Sequence, residues 1–312
     1  MHYNWFLIAI TAPILWSIVN HIDKYLLSKH FKGSGVGAIF IFSSLFSIFV
    51  SIFVLFFGHA EILNITFFEA LSLCFIGILN GFAFYFYLHA LNHEESSIVI
   101  PLLQMIPLFG YILAYPILGE YLNAQQILAA LIVILGIILL SIDFDIDNHR
   151  ISIKKKVLLL VALSSFLYAL HDVLFKAFTN QDSFYVSTFW QYIGLMLTGL
   201  FILKIHKKYR EEFYLMIKMN NTKIFSLNII SEVLYVFGNL ATNFATLLAP
   251  VALVLVVSSY QPMFVFIGGT LLTMFLPMIS NEKITPKHLV QKLLSIIIII
   301  IGSYLLYSSS AF

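Results

Sequence analysis

The chain has 312 residues, 61% hydrophobic and only 10% charged, with a mean hydropathy of +0.97. Soluble domains carry about 25% charged residues, so this composition excludes a soluble globular protein and points to an integral membrane protein. The formal net charge of +2 says nothing about nucleic acid, because the charges sit in short loops between apolar runs, and no nucleic acid is expected as a partner; a single cysteine excludes an intramolecular disulfide.

A spanning helix needs roughly 17–25 apolar residues. In chain order, such runs occur at 5–27, 36–57, 66–90, 96–118, 124–142, 157–178, 184–204, 224–247, 250–275 and 288–307. The first lacks a basic flank and an A-x-A-like cleavage site, so it reads as a span and not a signal peptide. The third carries Gly77 and Gly81, which permit close helix contact, and Cys74, which reads as a thiol packed among helices. Pro107 and Pro262 lie inside the fourth and ninth spans, where each removes a backbone hydrogen bond and breaks or bends its helix. The six isoleucines at 296–301 are the interior of the tenth. Two gaps are long: 143–156 reads as a cytoplasmic linker between halves, and 205–223 as a solvated or interfacial amphipathic segment.

Alternating the loops between two sides sorts the charges. Lys24, Lys29, Lys32, Arg150, Lys154, Lys155, Lys156, Lys204, Lys207, Lys208, Arg210, Lys218, Lys223, Lys283, Lys287 and Lys292 fall on one side, and only Lys176 on the other. The positive-inside rule makes the basic side cytoplasmic and both termini extracytoplasmic, in a multi-pass protein of a plasma membrane of bacterial type. The halves also resemble each other. A shift of 155 residues matches Pro107 with Pro262 and Ala90 with Ala245, and a shift of 152 lays Asn20 and Lys24 on Asp172 and Lys176. Five spans per unit is an odd number, so a second copy must be inverted. The expected fold is all-α, ten transmembrane helices in two inverted five-helix repeats, at 1–142 and 157–312.

The stretch Ala90-Leu91, Pro107, Leu118-Gly119-Glu120-Tyr121-Leu122 and Gly136 resembles the EamA unit of the drug/metabolite transporter superfamily. Trp16, Asn20 and Lys24 of the opening span fit it as well. The second half departs, with Asn281-Glu282 in place of Gly-Glu after an insertion. The resemblance implies a ten-helix transporter of small metabolites, amino acids among them, by alternating access, with export favoured over uptake. A lipid-linked carrier or drug translocator is the alternative within transport; an integral-membrane enzyme or a channel is the alternative outside it. No P-loop, H-E-x-x-H, G-x-S-x-G or metal-ligand spacing occurs, so neither enzyme chemistry nor a cofactor or metal is expected. The partners expected are a small-molecule substrate and the bilayer; oligomeric state stays open.

Polar side chains within spans face protein or a water-filled cavity, and this selects the candidate residues. Asp172 lies roughly 22 Å along its helix. Lys176 follows at i+4, so the two are expected to bridge, either as a structural pair or as an outer gate; His171 sits beside them. Glu232 has no basic neighbour on its own helix, which suits a ligand for a cationic group or a proton carrier, or else a structural carboxyl bonded across helices. Tyr235, Asn239 and Asn243 continue its face. With Trp16, Asn20, Asn80, Gln104, Tyr168, Trp190, Gln191, Tyr260 and Gln261 these make a candidate pocket with aromatic walls and amide donors, interhelical hydrogen bonding being the alternative. Pro107 and Pro262 are candidate hinges. Glu120 reads as a turn or cap residue, and His21 and Asp23 as an interfacial helix end.

Overall fold

The computed structural model describes residues 4–29, 35–57, 60–93, 99–100, 102–141, 155–179, 183–218, 222–275 and 286–309. Among these every regular element is helical: α1 (Trp5–Lys29), α2 (Val36–Phe57), α3 (Phe67–His93), α4 (Met105–Leu118), α5 (Ala124–Ser141), α6 (Lys155–Phe178), α7 (Phe184–Ile205), α8 (Lys207–Lys218), α9 (Thr222–Thr246), α10 (Val251–Ser258), α11 (Gln261–Phe275) and α12 (Pro286–Ser309), with a short 3-10 turn at Ala60–Leu63. Seven stretches are long and apolar enough to cross a membrane: Trp5–Asp23, Val36–Phe56, Phe67–His93, Lys155–Phe178, Phe184–Ile205, Ile224–Thr246 and Val251–Phe275. Shorter apolar helices occupy the other expected positions, at Met105–Leu118, Ala124–Leu140 and Val290–Leu305. Most of the 143–156 linker and the Asn281-Glu282 match lie outside the described residues.

The helix boundaries follow local chemistry. Gly119 ends α4 in the left-handed region at φ 67°, where its N–H returns to the Ala114 carbonyl. Asn123 then starts α5 through a reciprocal box: the Asn123 N–H donates to Gln126 Oε1 at 3.0 Å and the Gln126 N–H to Asn123 Oδ1 at 2.8 Å. Thr66 and Glu69 make the same exchange before α3. The segment read as amphipathic contains α8, which buries Tyr209 and leaves Leu215 and Ile217 exposed.

The fourth and ninth spans are not continuous helices. The chain turns at Leu103-Gln104 just before α4, and at Ser259-Tyr260 between α10 and α11. In both turns tight i→i−3 bonds take over: Ile106 N–H to the Leu103 carbonyl and Met263 N–H to the Tyr260 carbonyl, each 2.9 Å. The cause lies just downstream, since neither Pro107 nor Pro262 has an N–H to extend the helix backwards.

Packing runs across the two halves. α1 lies along α9 and against α10 and α11, while α6 lies along α3 and α4. α2 packs on α7, α5 on α12 and α4 on α10. Glycines set the closest crossing. A Cβ on Gly77 would stand 1.8 Å from the Gln191 carbonyl oxygen, and one on Gly194 would stand 1.9 Å from that of Cys74, so α3 and α7 meet backbone to backbone. The seam between α2 and α9 is different. It is bridged by a Phe42–Phe225 edge contact and by a bond from Ser43 to Glu232, and it leaves a small gap where polar side chains meet Phe84, Leu195 and Val236.

Candidate functional site

One face of α9 organises that gap. The polar residues along it reach α1, α2, α6 and α7. The Glu232 carboxylate accepts from the Ser43 hydroxyl of α2. Tyr235 bonds the Tyr168 hydroxyl of α6 and lies 6.4 Å, centroid to centroid, from the Trp16 ring of α1. Asn239 sits against the Tyr192 and Tyr235 hydroxyls. Asn243 donates to Gln191 of α7 at 3.1 Å. Trp16 is seated where α9 has no side chain: a Cβ on Gly238 would fall 2.4 Å from its Nε1, which donates to the Tyr235 carbonyl at 3.3 Å.

Around Glu232 and Tyr235 lies a cavity of about 20 Å³ lined also by Ser43, Ser44, Ser47, Asn80 and Tyr192. That is room for a single water. Asn80, from the candidate set, is only 4% exposed and forms one wall. The serines of α2 were missed because they read as ordinary span residues. Asp23 was also misplaced: it does not face an interface but accepts from Ser231 Oγ at 2.8 Å and interacts electrostatically with the neighbouring Glu232. His21, likewise, reaches inward to the Val265 carbonyl at 3.2 Å. No same-helix pattern exposes such pairings, which depend on how α1 lies along α9.

A second polar cluster sits further along the same face. His171 Nδ1 is 2.9 Å from Asp172 Oδ1, and Gln191 Nε2 is 2.7 Å from His171 Nε2. With Asn243 these form one chain of four side chains, none more than 8% exposed.

The bridge expected between Asp172 and Lys176 does not form. Lys176 Nζ pairs with Glu120 Oε1 at 2.5 Å and donates to the Ala249 carbonyl at 2.7 Å. Glu120 Oε2 in turn accepts the Val251 N–H at 2.8 Å, at the first turn of α10. A carboxylate on a helix N-terminus and an ammonium on the carbonyl just before it are both favourable, and together they outcompete a same-helix pair. The ion pair at this end is therefore Lys176 with Glu120, which follows the Gly119 turn. At the other end of α7, Glu212 of α8 accepts the Gly37 N–H at the start of α2 (3.0 Å), and the Tyr209 hydroxyl bonds His89 of α3.

The remaining candidates are dispersed. Gln261 reaches the Trp16 carbonyl at 3.5 Å, the outer limit of a bond. Gln104 lies at the turn before α4, and its buried Oε1, like Asn20 Nδ2, has no protein partner among the described residues.

Residues 3–142, the part that contributes Trp16, Ser43, Asn80 and Glu120, match the model of the EamA-like transporter family, within the drug/metabolite transporter superfamily. The chain carries an EamA-like transporter unit. A solved crystal structure resembles the whole chain, with a TM-score of 0.66 and 16% identity over 98% of this chain and 96% of that one. At that identity the likeness shows the fold alone. No curated protein matches. The EamA-like unit and the seven long apolar helices make this a multi-pass membrane protein. The unit supplies Glu120 to the clamp and Ser43 to Glu232, while their partners come from beyond residue 142.

Proposed function

We propose that the protein is a secondary transporter moving a small organic metabolite, amino acids included, across a plasma membrane by alternating access, with export the favoured direction. The observation that carries this reading is the closed polar centre. The cavity at Glu232 holds about 20 Å³, while the core is tied at one end by Glu120, Lys176 and Ala249 and at the other by Glu212 with Gly37 and Tyr209 with His89. A channel needs a continuous path. A carrier needs a central site that two separate closures open in turn, and Pro107 and Pro262 are placed to hinge them.

The packing supports ten spans in two inverted repeats. Exchanging the first five spans with the last five turns the α1–α9 contact into the α6–α3 contact. It also turns the α1 contact with α10 and α11 into the α6–α4 contact. Orientation follows from the charge sorting. A Cys at position 309 in a Cys74→Ala background is expected to label from outside intact cells; labelling only after permeabilisation would reverse the orientation.

The function is tested by a ligand-stabilisation screen of metabolites on purified protein, followed by counterflow of the hits in liposomes. Saturable counterflow is the expected result, and flux that rises linearly with concentration would exclude a carrier. A second reading, a carrier of lipid-linked or drug-like solutes, draws on an apolar groove of about 600 Å³ beside α1 and α9, lined by Ile8, Leu15, Leu234, Phe237 and Phe244 among others. Stabilisation by amphiphiles and not by polar metabolites would favour it.

A further inference from the structure

We propose that His171 and Asp172 together form a proton-binding site whose occupancy is transmitted to α9 by reversal of a buried amide relay. The direction of every bond in the chain follows from one end. Asn243 Nδ2 donates to Gln191 Oε1 at 3.1 Å. The other half of that amide, Gln191 Nε2, must then donate, and His171 Nε2 accepts it at 2.7 Å. An imidazole that accepts at Nε2 carries its proton on Nδ1, which donates to Asp172 Oδ1 at 2.9 Å. The resting state is thus a neutral imidazole beside a carboxylate, with each step dictated by its neighbour.

One added proton breaks this order. Held by the imidazole, it occupies Nε2 and confronts the Gln191 amide with two opposed donors. In so tightly buried a site an unmade bond is costly, so Gln191 must turn its amide over and accept through Oε1. Its NH₂ then faces the Asn243 NH₂, and Asn243 must turn too. The proton enters on α6 and its effect emerges on α9, one turn from Asn239 and on the face that carries Tyr235 and Glu232. The Phe175 ring stacks against His171 at 6.5 Å and the crossing at Gly77 fixes the backbone of Gln191, so the relay has little freedom to respond in any other way.

The titratable groups that interact with this pair are tyrosines. Asp172 interacts electrostatically with Tyr168 on α6 and with Tyr235 on α9. Tyr168 interacts in turn with Tyr87 of α3, and Tyr235 with Tyr192 of α7 and with Glu232. α4 and α10 carry no acidic or basic residue. The cation nearest in sequence, Lys176, is committed to Glu120. Use of the pair for coupling rests on the transporter reading; the titration itself does not.

The experiment is NMR of protein labelled with ¹⁵N in the histidine rings, in bilayers, titrated with protons between about pH 5 and 8, where histidine ordinarily changes charge. His171→Gln identifies the signal. The expected spectrum is the Nδ1–H tautomer at high pH, converting to imidazolium as pH falls. Gln191→Glu, which can only accept, is expected to raise the midpoint by about one pH unit or more, a tenfold gain in proton affinity. Asn243→Leu, which frees Gln191 to turn, is expected to raise it as well. A merely structural histidine would also feel the carboxylate that Gln191→Glu places beside it, but would ignore Asn243→Leu, which lies beyond Gln191. An Nε2–H tautomer at high pH, a ring neutral throughout, or a midpoint unmoved by Asn243→Leu would overturn the proposal. If Asn243→Leu does not fold, Asn243→Ala replaces it. Loss of pH-driven transport with the titration intact would instead count against the transporter reading.

Discussion

Glu232→Gln is expected to abolish active transport of the solute identified by the screen, while the protein still folds in nearly normal yield. Glutamine keeps the size of the side chain and an oxygen to accept from Ser43, so the α2–α9 bridge survives. What disappears is the ionisable carboxyl. Where it pairs with a cationic group of the solute, removing it costs about 2–5 kcal/mol, which corresponds to roughly a thirtyfold or larger loss of rate or affinity; where it carries a coupling proton, glutamine cannot take its place. The carboxyl lines the small cavity between α2 and α9 and shares its surroundings with Asp23. If Glu232 is only structural, the same substitution lowers the melting temperature and leaves transport in the surviving fraction unchanged. That outcome would remove it from the mechanism. Ser43→Ala serves as the comparison: it deletes the bridge but keeps the carboxyl, and is expected to affect stability more than transport.

Lys176→Met is expected to open the end of the molecule that Glu120 closes. The ammonium joins the turn after α4 to α6 and to the carbonyl just before α10. Both side chains are mostly sheltered, at 22% and 14% exposure. An ionic hydrogen bond of this kind contributes about 1.5–3 kcal/mol. In a Cys74→Ala background, a cysteine replacing Ala249 is buried and should label slowly. Adding Lys176→Met should accelerate labelling by at least about tenfold, the equivalent of about 1.4 kcal/mol. Glu120→Gln should have a smaller effect than Glu120→Ala, because it can still accept the Val251 N–H. Unchanged labelling in Lys176→Met would show that this clamp does not hold the closure.

Much of this architecture was legible along the chain. The spans could be read because a helix in lipid must be apolar over its whole length, which leaves an unmistakable run. The breaks before Pro107 and Pro262 could be read because a missing N–H acts within a single turn. The polar face of α9 could be read from steps of three and four. All of these effects are local in sequence.

The pairings were not legible, and they are what define the site. Same-helix spacing suggested Asp172 for Lys176, yet the partner is Glu120, which combines an ion pair with a helix N-terminus 131 residues away. Asp23 looked interfacial until the packing of α1 along α9 brought it to Ser231. Gln191 could be read as a polar residue of the pocket, but its partners could not; the Gly77–Gly194 crossing fixes its backbone and leaves its side chain between His171 and Asn243. The sequence by itself determined the membrane class, the family of the first unit, the seven long apolar helices and the places where helices break, because each depends on the composition of one segment or the chemistry of one turn. Only the tertiary structure decided which buried polar groups satisfy one another, because in a dry interior each donor takes the acceptor that the crossing helices bring to it, however distant in sequence.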